Sequence, residues 1–275
     1  MPLFPQPRLP IRSVLAALVA APLLLALSGC ATPPPADDPD AVADFHEAND
    51  PLEPTNRVFY AINNGIDTVV MRPVAKAYRA VLPQVVRTHV HNVLVNINMP
   101  GQLFNDMLEG KPRHAGDSLM RVLLNTTVGI GGVFDVATDL GWPDHDADSG
   151  VTLALWGIPN GPFLFLPILG PSSPREITGF GADIGMNPLT WVGHGQAVVV
   201  LGYAQYGFAA VDARAAVLDD LDKITAQALD PYATIRSLYR QHRESVISDA
   251  RTDGDATVPA WFPAAPSSAG AGPRP

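Results

Sequence analysis

Charge almost disappears from the middle of this chain. Between Ser149 and Val211 the only Asp, Glu, Lys or Arg residues are Arg175, Glu176 and Asp183. The apolar residues of such a stretch need a cover, because soluble domains rarely leave large apolar patches in water. That cover is either a protein core or a membrane. Leu189 to Val211 carries none of the four charged residue types and could cross a bilayer by length. His194, Gln196, Gln205 and the glycines Gly193, Gly195, Gly202 and Gly207 argue against a spanning helix. The expectation is a helix buried in the domain or lying in one leaflet. Nearby, the segment from Leu155 to Pro167 holds too much Gly and Pro for a straight helix. It is expected to form a hairpin or an irregular loop.

The rest of the folded region reads as medium-length helices punctuated by proline. Val58, Phe59, Ile62, Ile66, Val69 and Val70 fall on one helical stripe that opens near Asn56. Arg72-Pro73 is expected to end that helix and start another, since proline suits a first helical turn. Val74, Ala77, Tyr78 and Val81 continue to a stop at Pro83. Val86, Val90, Val93, Leu94 and Ile97 keep helical spacing until Met99-Pro100-Gly101, which is expected to break the chain. A short amphipathic segment then ends at Gly110, and a further helix is predicted from about Arg113 to Val128. Asp230-Pro231 has the form of an N-cap and first-turn proline for a last helix to about Ser248. No convincing run of alternating strand residues appears. The predicted fold class is mainly α.

The N-terminus has a different grammar. Arg8 and Arg12 precede an apolar run from Val14 to Leu27, which leads into Leu27-Ser28-Gly29-Cys30. A positive flank, a short apolar core and small residues form a secretory signal. A leucine, two small residues and a cysteine resemble a bacterial lipoprotein signal, in which Cys30 becomes the acylated first residue of the mature chain. Two or more acyl chains anchor stably where one does not. Ala31 in place of aspartate resembles the outer-membrane sorting of such proteins. The organisation expected is a signal peptide at 1–29, a solvated extended tether at 30–48, one folded domain at 49–249 and a disordered tail at 250–275. Cys30 is the only cysteine, so the fold must hold by burial without a disulfide. The formal charge is -9, and losing Arg8 and Arg12 makes it more negative. Such a chain is poorly suited to nucleic acid or to electrostatic docking on anionic lipid.

Enzyme signatures are weak. There is no Gly-x-Ser-x-Gly elbow and no His-Glu-x-x-His pair. Ser172-Ser173 between Pro171 and Pro174 reads as a turn. His89 and His91 are two apart and point to different helix faces. Asp144, Asp146 and Asp148 resemble the start of a calcium loop, but Ser149 and Leu155 stand where it needs glycine and a bidentate glutamate. A solvated loop is the expectation there, with no metal and no cofactor. Gly129-Ile130-Gly131-Gly132 follows a helix instead of opening one, so it is a poor phosphate cradle. Arg72, Arg79, Arg87 and Arg121 are spread over separate helices and read as surface or helix-end partners, with Arg121 in a more apolar setting where pairing is the alternative.

Several motifs taken in order resemble one family. They are Asn49 to Arg57, Arg72-Pro73-Val74-Ala75, Leu124 to Ala137, Trp156-Gly157, Gly161-Pro162-Phe163, Leu166-Pro167 and Gly170-Pro171-Ser172-Ser173. Behind a lipoprotein leader, this ordered set resembles the MlaA (VacJ) outer-membrane lipoproteins over about residues 44 to 245. In one departure, Asp148-Ser149-Gly150 stands where the family commonly has Asp-Phe-Gly, which bears on the packing of that loop. The resemblance implies a ring-like bundle of proline-broken amphipathic helices around a central channel, seated in the inner leaflet beside a trimeric porin. It implies a non-catalytic role: misplaced phospholipid leaves the outer leaflet and passes to a soluble periplasmic carrier, MlaC. A scaffold lipoprotein that binds a porin without transport is the alternative, and a phospholipid hydrolase is a third reading. The candidate channel or hairpin border comprises Trp156, Gly157, Pro159 and Gly161, with Asn125, Thr126, Thr127, Gly129, Gly131 and Gly132 as a second stretch.

Overall fold

The computed structural model describes residues 48–252 apart from 192–195, together with positions 34, 35, 37, 38, 42 and 45. The leader, Cys30 and the tail from 253 onward lie outside the described residues. The fold is mainly α and divides into two units. One comprises the chain up to Gly65 together with Gly161–Pro174, and the other comprises Ile66–Asn160 and the chain from Arg175 onward.

The first unit is built from helix α1 (Glu53–Ile66) and a hairpin of β1 (Leu164–Leu166) and β2 (Gly170–Ser172). The strands pair antiparallel with Phe165 opposite Pro171. Ile168 in the turn and Gly170 at the start of β2 take positive φ angles of 72° and 84°. Such a short hairpin is not stable alone. Two asparagines of α1, seven residues apart and so on one face, hold it by imitating a neighbouring strand. Asn56 Nδ2 donates to Phe163 O at 3.0 Å, and its Oδ1 accepts from Phe165 N at 2.9 Å. Asn63 Nδ2 donates to Leu166 O at 2.8 Å, and its Oδ1 accepts from Ile168 N at 2.7 Å. Tyr60 adds an edge contact to Phe165, with ring centroids 5.5 Å apart. Ser172 thus ends a strand and is not in a turn. The tether is not wholly extended either. Val42, Phe45 and Ala48 are helical, and Val42 N donates to Asp38 O at 3.1 Å. No proline lies between Pro39 and Pro51 to prevent this.

The second unit begins with a π-helical turn (Asp67–Met71) and α2 (Arg72–Val81). Met71 and Arg72 keep right-handed helical angles, so Arg72-Pro73 does not interrupt the backbone. Helix α3 (Gln84–Leu108) likewise passes through Pro100, contrary to the break expected there. An interior proline costs about 3 kcal/mol. Long packing against α4 (Pro112–Thr127) outweighs that cost. After α4 come α5 (Val136–Asp139), α6 (Ser149–Leu155), α7 (Pro174–Met186), α8 (Pro188–Trp191), α9 (Gln196–Ala216), α10 (Leu218–Gln227) and α11 (Pro231–Arg251). Asp230 caps α11 as expected, accepting from Ala233 N at 3.2 Å.

Two small apolar clusters sit in this unit. Ala75 and Tyr78 meet Ala215 and Leu218, while Val151 and Ala154 meet Ile247 and Ala250. Tyr78 Oη donates to Asp212 Oδ1 at 3.0 Å, and burial followed by this bond pushes its hydroxyl up to about 12. Arg214 grips Asp67 with two nitrogens, at 2.6 and 2.9 Å, and also reaches Asp222. The bond from Arg214 holds the Asp67 carboxyl below its ordinary range. Arg72 and Arg79 are paired with Asp67 and Asp219, as surface and helix-end roles require.

The segment from Asp144 to Asp148 is not simply a solvated acidic loop. Asp148 caps α6 by accepting from Val151 N at 2.8 Å, and its carboxylate takes Arg243 Nη1 at 2.7 Å. Arg243 also meets Glu176. A Cβ on Gly150 would press on the Glu176 carboxylate and stand tightly against the Arg243 guanidinium, so a side chain there would require that pair to shift. Ser149, where the family pattern differs, is buried, and its Oγ donates to Asp183 Oδ1 at 2.6 Å.

Two outcomes follow. Asn56→Ala removes the bonds to Phe163 O, Phe165 N and Asp50 Oδ1, and chemical denaturation is expected to show a loss of about 2 kcal/mol. Burial alone would raise the Asp148 carboxyl, but bonds from Arg243 and backbone amides bring it below its ordinary value. Its stabilising contribution is therefore complete above about pH 4 and fades as pH falls further. Asp148→Asn should lower the unfolding midpoint by a few degrees at pH 7, and the gap should close on acidification in thermal scans.

Candidate functional site

Two helices of the second unit, α4 and α9, are inverted in polarity. A helix on a soluble domain turns its apolar stripe inward. Helix α4 buries His114, Asp117, Ser118, Arg121 and Asn125, and leaves Leu119 and Leu123 exposed. Helix α9 leaves Val199, Val200, Leu201, Tyr203 and Phe208 exposed, Tyr203 at 77%, while Gln205 is 5% exposed. Of the two placements expected for this segment, in the domain or in one leaflet, burial in the domain does not hold for those five residues. Val69, Val81, Phe104 and Met107 on the preceding helical elements are also outward. Among the described residues no helix is long and apolar enough to cross a membrane.

Most of the buried polar face of α4 is answered by hydrogen bonds, and Arg121 Nε, which makes none, stands 3.6 Å from Asp144 Oδ1. Arg121, 2% exposed, donates Nη1 to Trp142 O at 2.6 Å and to Thr138 Oγ1 at 2.8 Å, and Nη2 to Asp135 Oδ2 at 3.2 Å. It is a core ion-pair partner and not a surface residue. Asn125 Nδ2 donates to Asp135 Oδ1 at 2.9 Å, and its Oδ1 accepts from Ala137 N at 2.9 Å. Burial would raise the Asp135 carboxyl, but bonds from Thr138 and Asn125 and the Arg121 charge bring it below its usual value. Gln205 Nε2 donates to Asn98 Oδ1 at 2.9 Å and its Oε1 accepts from Asn187 Nδ2 at 3.1 Å, giving α9 the same treatment.

Between α3, α7 and α9 lies a cavity of about 260 Å³. Asn98, Asn105, Asp183 and Asn187 supply a polar wall, and Phe180, Ile184 and Tyr206 an apolar one. Asp183 Oδ1 accepts from Ser149 Oγ, Ser149 N and Asn105 Nδ2. The wall therefore offers amide dipoles and satisfied carboxylates, with no nucleophile–base pair in it. A second space, about 540 Å³, is an apolar groove between α2 and α9 lined by Val74, Tyr78, Val81, Gly207, Phe208 and Val211.

The two stretches singled out as channel borders take separate places. Asn125 is buried, whereas Thr126 and Thr127 are exposed at the end of α4. Gly129 to Gly132 forms a tight reversal in which Gly131 N donates to Thr126 O and Gly132 N to Asn125 O. Ile130, Gly131 and Gly132 all have positive φ, and a Cβ on Gly132 would strike Asn96 of α3. Trp156, Gly157 and Pro159 are exposed after α6, where Trp156 Nε1 donates to Leu108 O at 3.1 Å. Asn96 and Leu108 lie roughly 18 Å apart along α3 at 1.5 Å per residue. Gly161 belongs to the hairpin unit, where Asn49 Nδ2 donates to its carbonyl at 2.8 Å. None of these residues is among those lining the mixed cavity. Sequence reasoning missed the cavity's amides and the buried face of α4. The signal was present as polar residues at helical spacing (114, 117, 118, 121, 125), which pattern-reading normally assigns to solvent.

Residues 48–246 match the MlaA lipoprotein family. The intermembrane phospholipid transport system lipoprotein MlaA of Haemophilus influenzae is 34% identical over 246 residues, covering 87% of this chain and 92% of its own. The protein of the same name from Escherichia coli K12 is 32% identical over 205 residues, covering 73% and 79%. A solved structure concerned with maintenance of bacterial outer membrane lipid asymmetry superposes with a TM-score of 0.64 at 29% identity, covering 72% of this chain and 98% of that one. This chain, by the extent of these matches, belongs to the MlaA lipoprotein family.

Proposed function

We propose that this protein is a lipid-anchored, non-catalytic phospholipid conduit of the outer membrane. It takes misplaced phospholipid from the outer leaflet and delivers it to a periplasmic carrier, keeping the membrane asymmetric. The observation that carries this reading is the inversion of polarity in α4 and α9. Outward apolar faces suit insertion among acyl chains, and inward amides suit a route for a head group.

The energetics require such a route. Exposing the two chains of a phospholipid to water costs about 0.8 kcal/mol for each of roughly thirty methylenes. The charged head group cannot cross hydrocarbon cheaply either. A conduit must therefore be wet on one side and oily on the other, as the mixed cavity is. Irregular backbone at membrane depth is tolerated only against protein or a wet space. In this reading the helices form a ring around the channel and a porin trimer holds it in place. The carrier is of the MlaC type, as the family resemblance implies. Cys30 carries the acyl anchor, and the reversal at Gly129–Gly132 and the Trp156–Gly161 segment border the route. An apolar exterior could equally seat a scaffold against a porin, so transport itself must be measured.

Deleting the protein should raise phospholipid on the cell surface, and restoring the parent chain should reverse this. An unchanged surface would leave only the scaffold. Ala147 lines the mixed cavity outside any helix. Ala147→Trp should fail to restore lipid removal while the unfolding midpoint moves by only a few degrees. It is a cleaner probe than Gly131 or Gly157, whose φ angles of 69° and 84° make any side chain strained. Full lipid removal by Ala147→Trp would exclude this cavity from the route. Cys30→Ala should leave an unacylated precursor that does not fractionate with the outer membrane, as mass spectrometry and sucrose gradients would show.

A further inference from the structure

One cluster in the second unit is used neither by the polar face that answers Arg121 nor by the mixed cavity. Asp106 at the end of α3, His114 in the first turn of α4 and His145 in the loop before α6 bring one ligand atom each to a common point, all within 4.8 Å of one another. Asp106 is fully buried and His114 is 8% exposed. His145 Nε2 lies 2.8 Å from Asp106 Oδ1, and the two imidazole centroids are 4.6 Å apart. The other carboxylate oxygen of Asp106 accepts from Ser118 Oγ at 2.6 Å, so the carboxylate is oriented from behind. Asp117, also buried, sits on the same face of α4 as His114.

From this geometry we infer that Asp106, His114 and His145 form a binding site for a divalent ion of the zinc class. Two imidazoles and one carboxylate match the three-ligand sets that bind zinc with an open fourth position. Imidazole donors select such borderline ions over calcium or magnesium, which take all-oxygen cages. Zinc-to-ligand distances of about 2.0–2.2 Å in a tetrahedron set donor atoms about 3.4 Å apart, so the 2.8 Å contact between Asp106 and His145 need open by only about half an ångström to admit the ion. Ser118 supplies the outer hydrogen bond that metal-binding carboxylates require. A cavity of about 210 Å³ opens onto His114 and His145, with Asp146 and Asp249 at its margin, and gives the ion a way in and room for a water ligand. The cation beside it, Lys111, is held by Glu109 at 2.8 Å. The ion would clamp the end of α3, the start of α4 and the loop leading to α6. The calcium-like Asp144, Asp146 and Asp148 are not the ligands. This inference does not rest on the lipid-transport reading, and its test reads binding alone.

The experiment uses the mature full-length chain purified without a polyhistidine tag and stripped with a chelator. Zinc is then titrated in competition with a chromophoric chelator. One equivalent should bind, and the unfolding midpoint should rise by about 5 °C when free zinc exceeds Kd a hundredfold. Calcium should produce neither effect. His145→Gln and His114→Gln should each weaken binding by about 100-fold or more, whereas His91→Gln, which alters a histidine outside the cluster, should bind as the parent does. His145 is partly exposed, so its variant is expected to fold if His114→Gln does not, and circular dichroism establishes this. X-ray absorption at the zinc edge should show two imidazole ligands. A folded parent that binds no stoichiometric zinc would overturn the assignment. Undiminished binding by the folded His145→Gln variant would do the same, since the metal would then be adventitious.

Discussion

A helix buries a polar face at low cost only if the donors and acceptors on it find partners. Arg121 comes close to this: its two terminal nitrogens are bonded, while its buried Nε has no hydrogen-bond partner and stands 3.6 Å from Asp144 Oδ1. Its guanidinium is almost fully enclosed and is met by a carbonyl, a hydroxyl and a carboxylate from the segment following α4. Removing one partner of such a buried pair typically costs about 3–5 kcal/mol. The Gly129–Gly132 reversal therefore has a structural task. It turns the chain back so that Asp135, Thr138 and Trp142 reach the face they must satisfy. The tight glycines and the buried arginine are parts of one arrangement.

The same logic extends through the unit. Asn98, Asn187 and Gln205 exchange amide bonds where an ordinary core would place aliphatic side chains. Ser149 enters a network with Asn105 and Asp183. Its hydroxyl thereby braces Asp183 and Asn105, two residues of the cavity wall. The apolar clusters are small, and much of the apolar side-chain surface of α4 and α9 faces outward. Burial of that surface depends on what surrounds the protein. A lipid environment would supply the stabilisation that the interior does not.

The hairpin unit solves a different problem by related means. Strands of three residues have little to hold them together. Asn56 and Asn63 act as a third strand, each giving and taking a backbone hydrogen bond. Such pairing locks the register of the hairpin against α1, since a shift of one residue would break all four bonds.

Much of this was legible in the sequence. Proline and glycine punctuation with helical apolar spacing indicated a mainly α chain, and Asp230-Pro231 marked the start of α11. The ordered motifs indicated the family, because each reflects a local backbone demand that only certain residues meet. Helical spacing tells which residues share a face but not which way the face points. Val58, Ile62 and Val69 formed a stripe as expected, yet they are exposed. Proline at 100 looked like a break because its local cost is visible in the sequence, while the packing of α3 on α4 that offsets it is not. The convergence of Asp106, His114 and His145 was equally hidden, since these residues come from three separate segments. Local propensity is written along the chain. The direction of a face and the meeting of distant side chains are decided only when helices pack, because they depend on neighbours far away in the sequence.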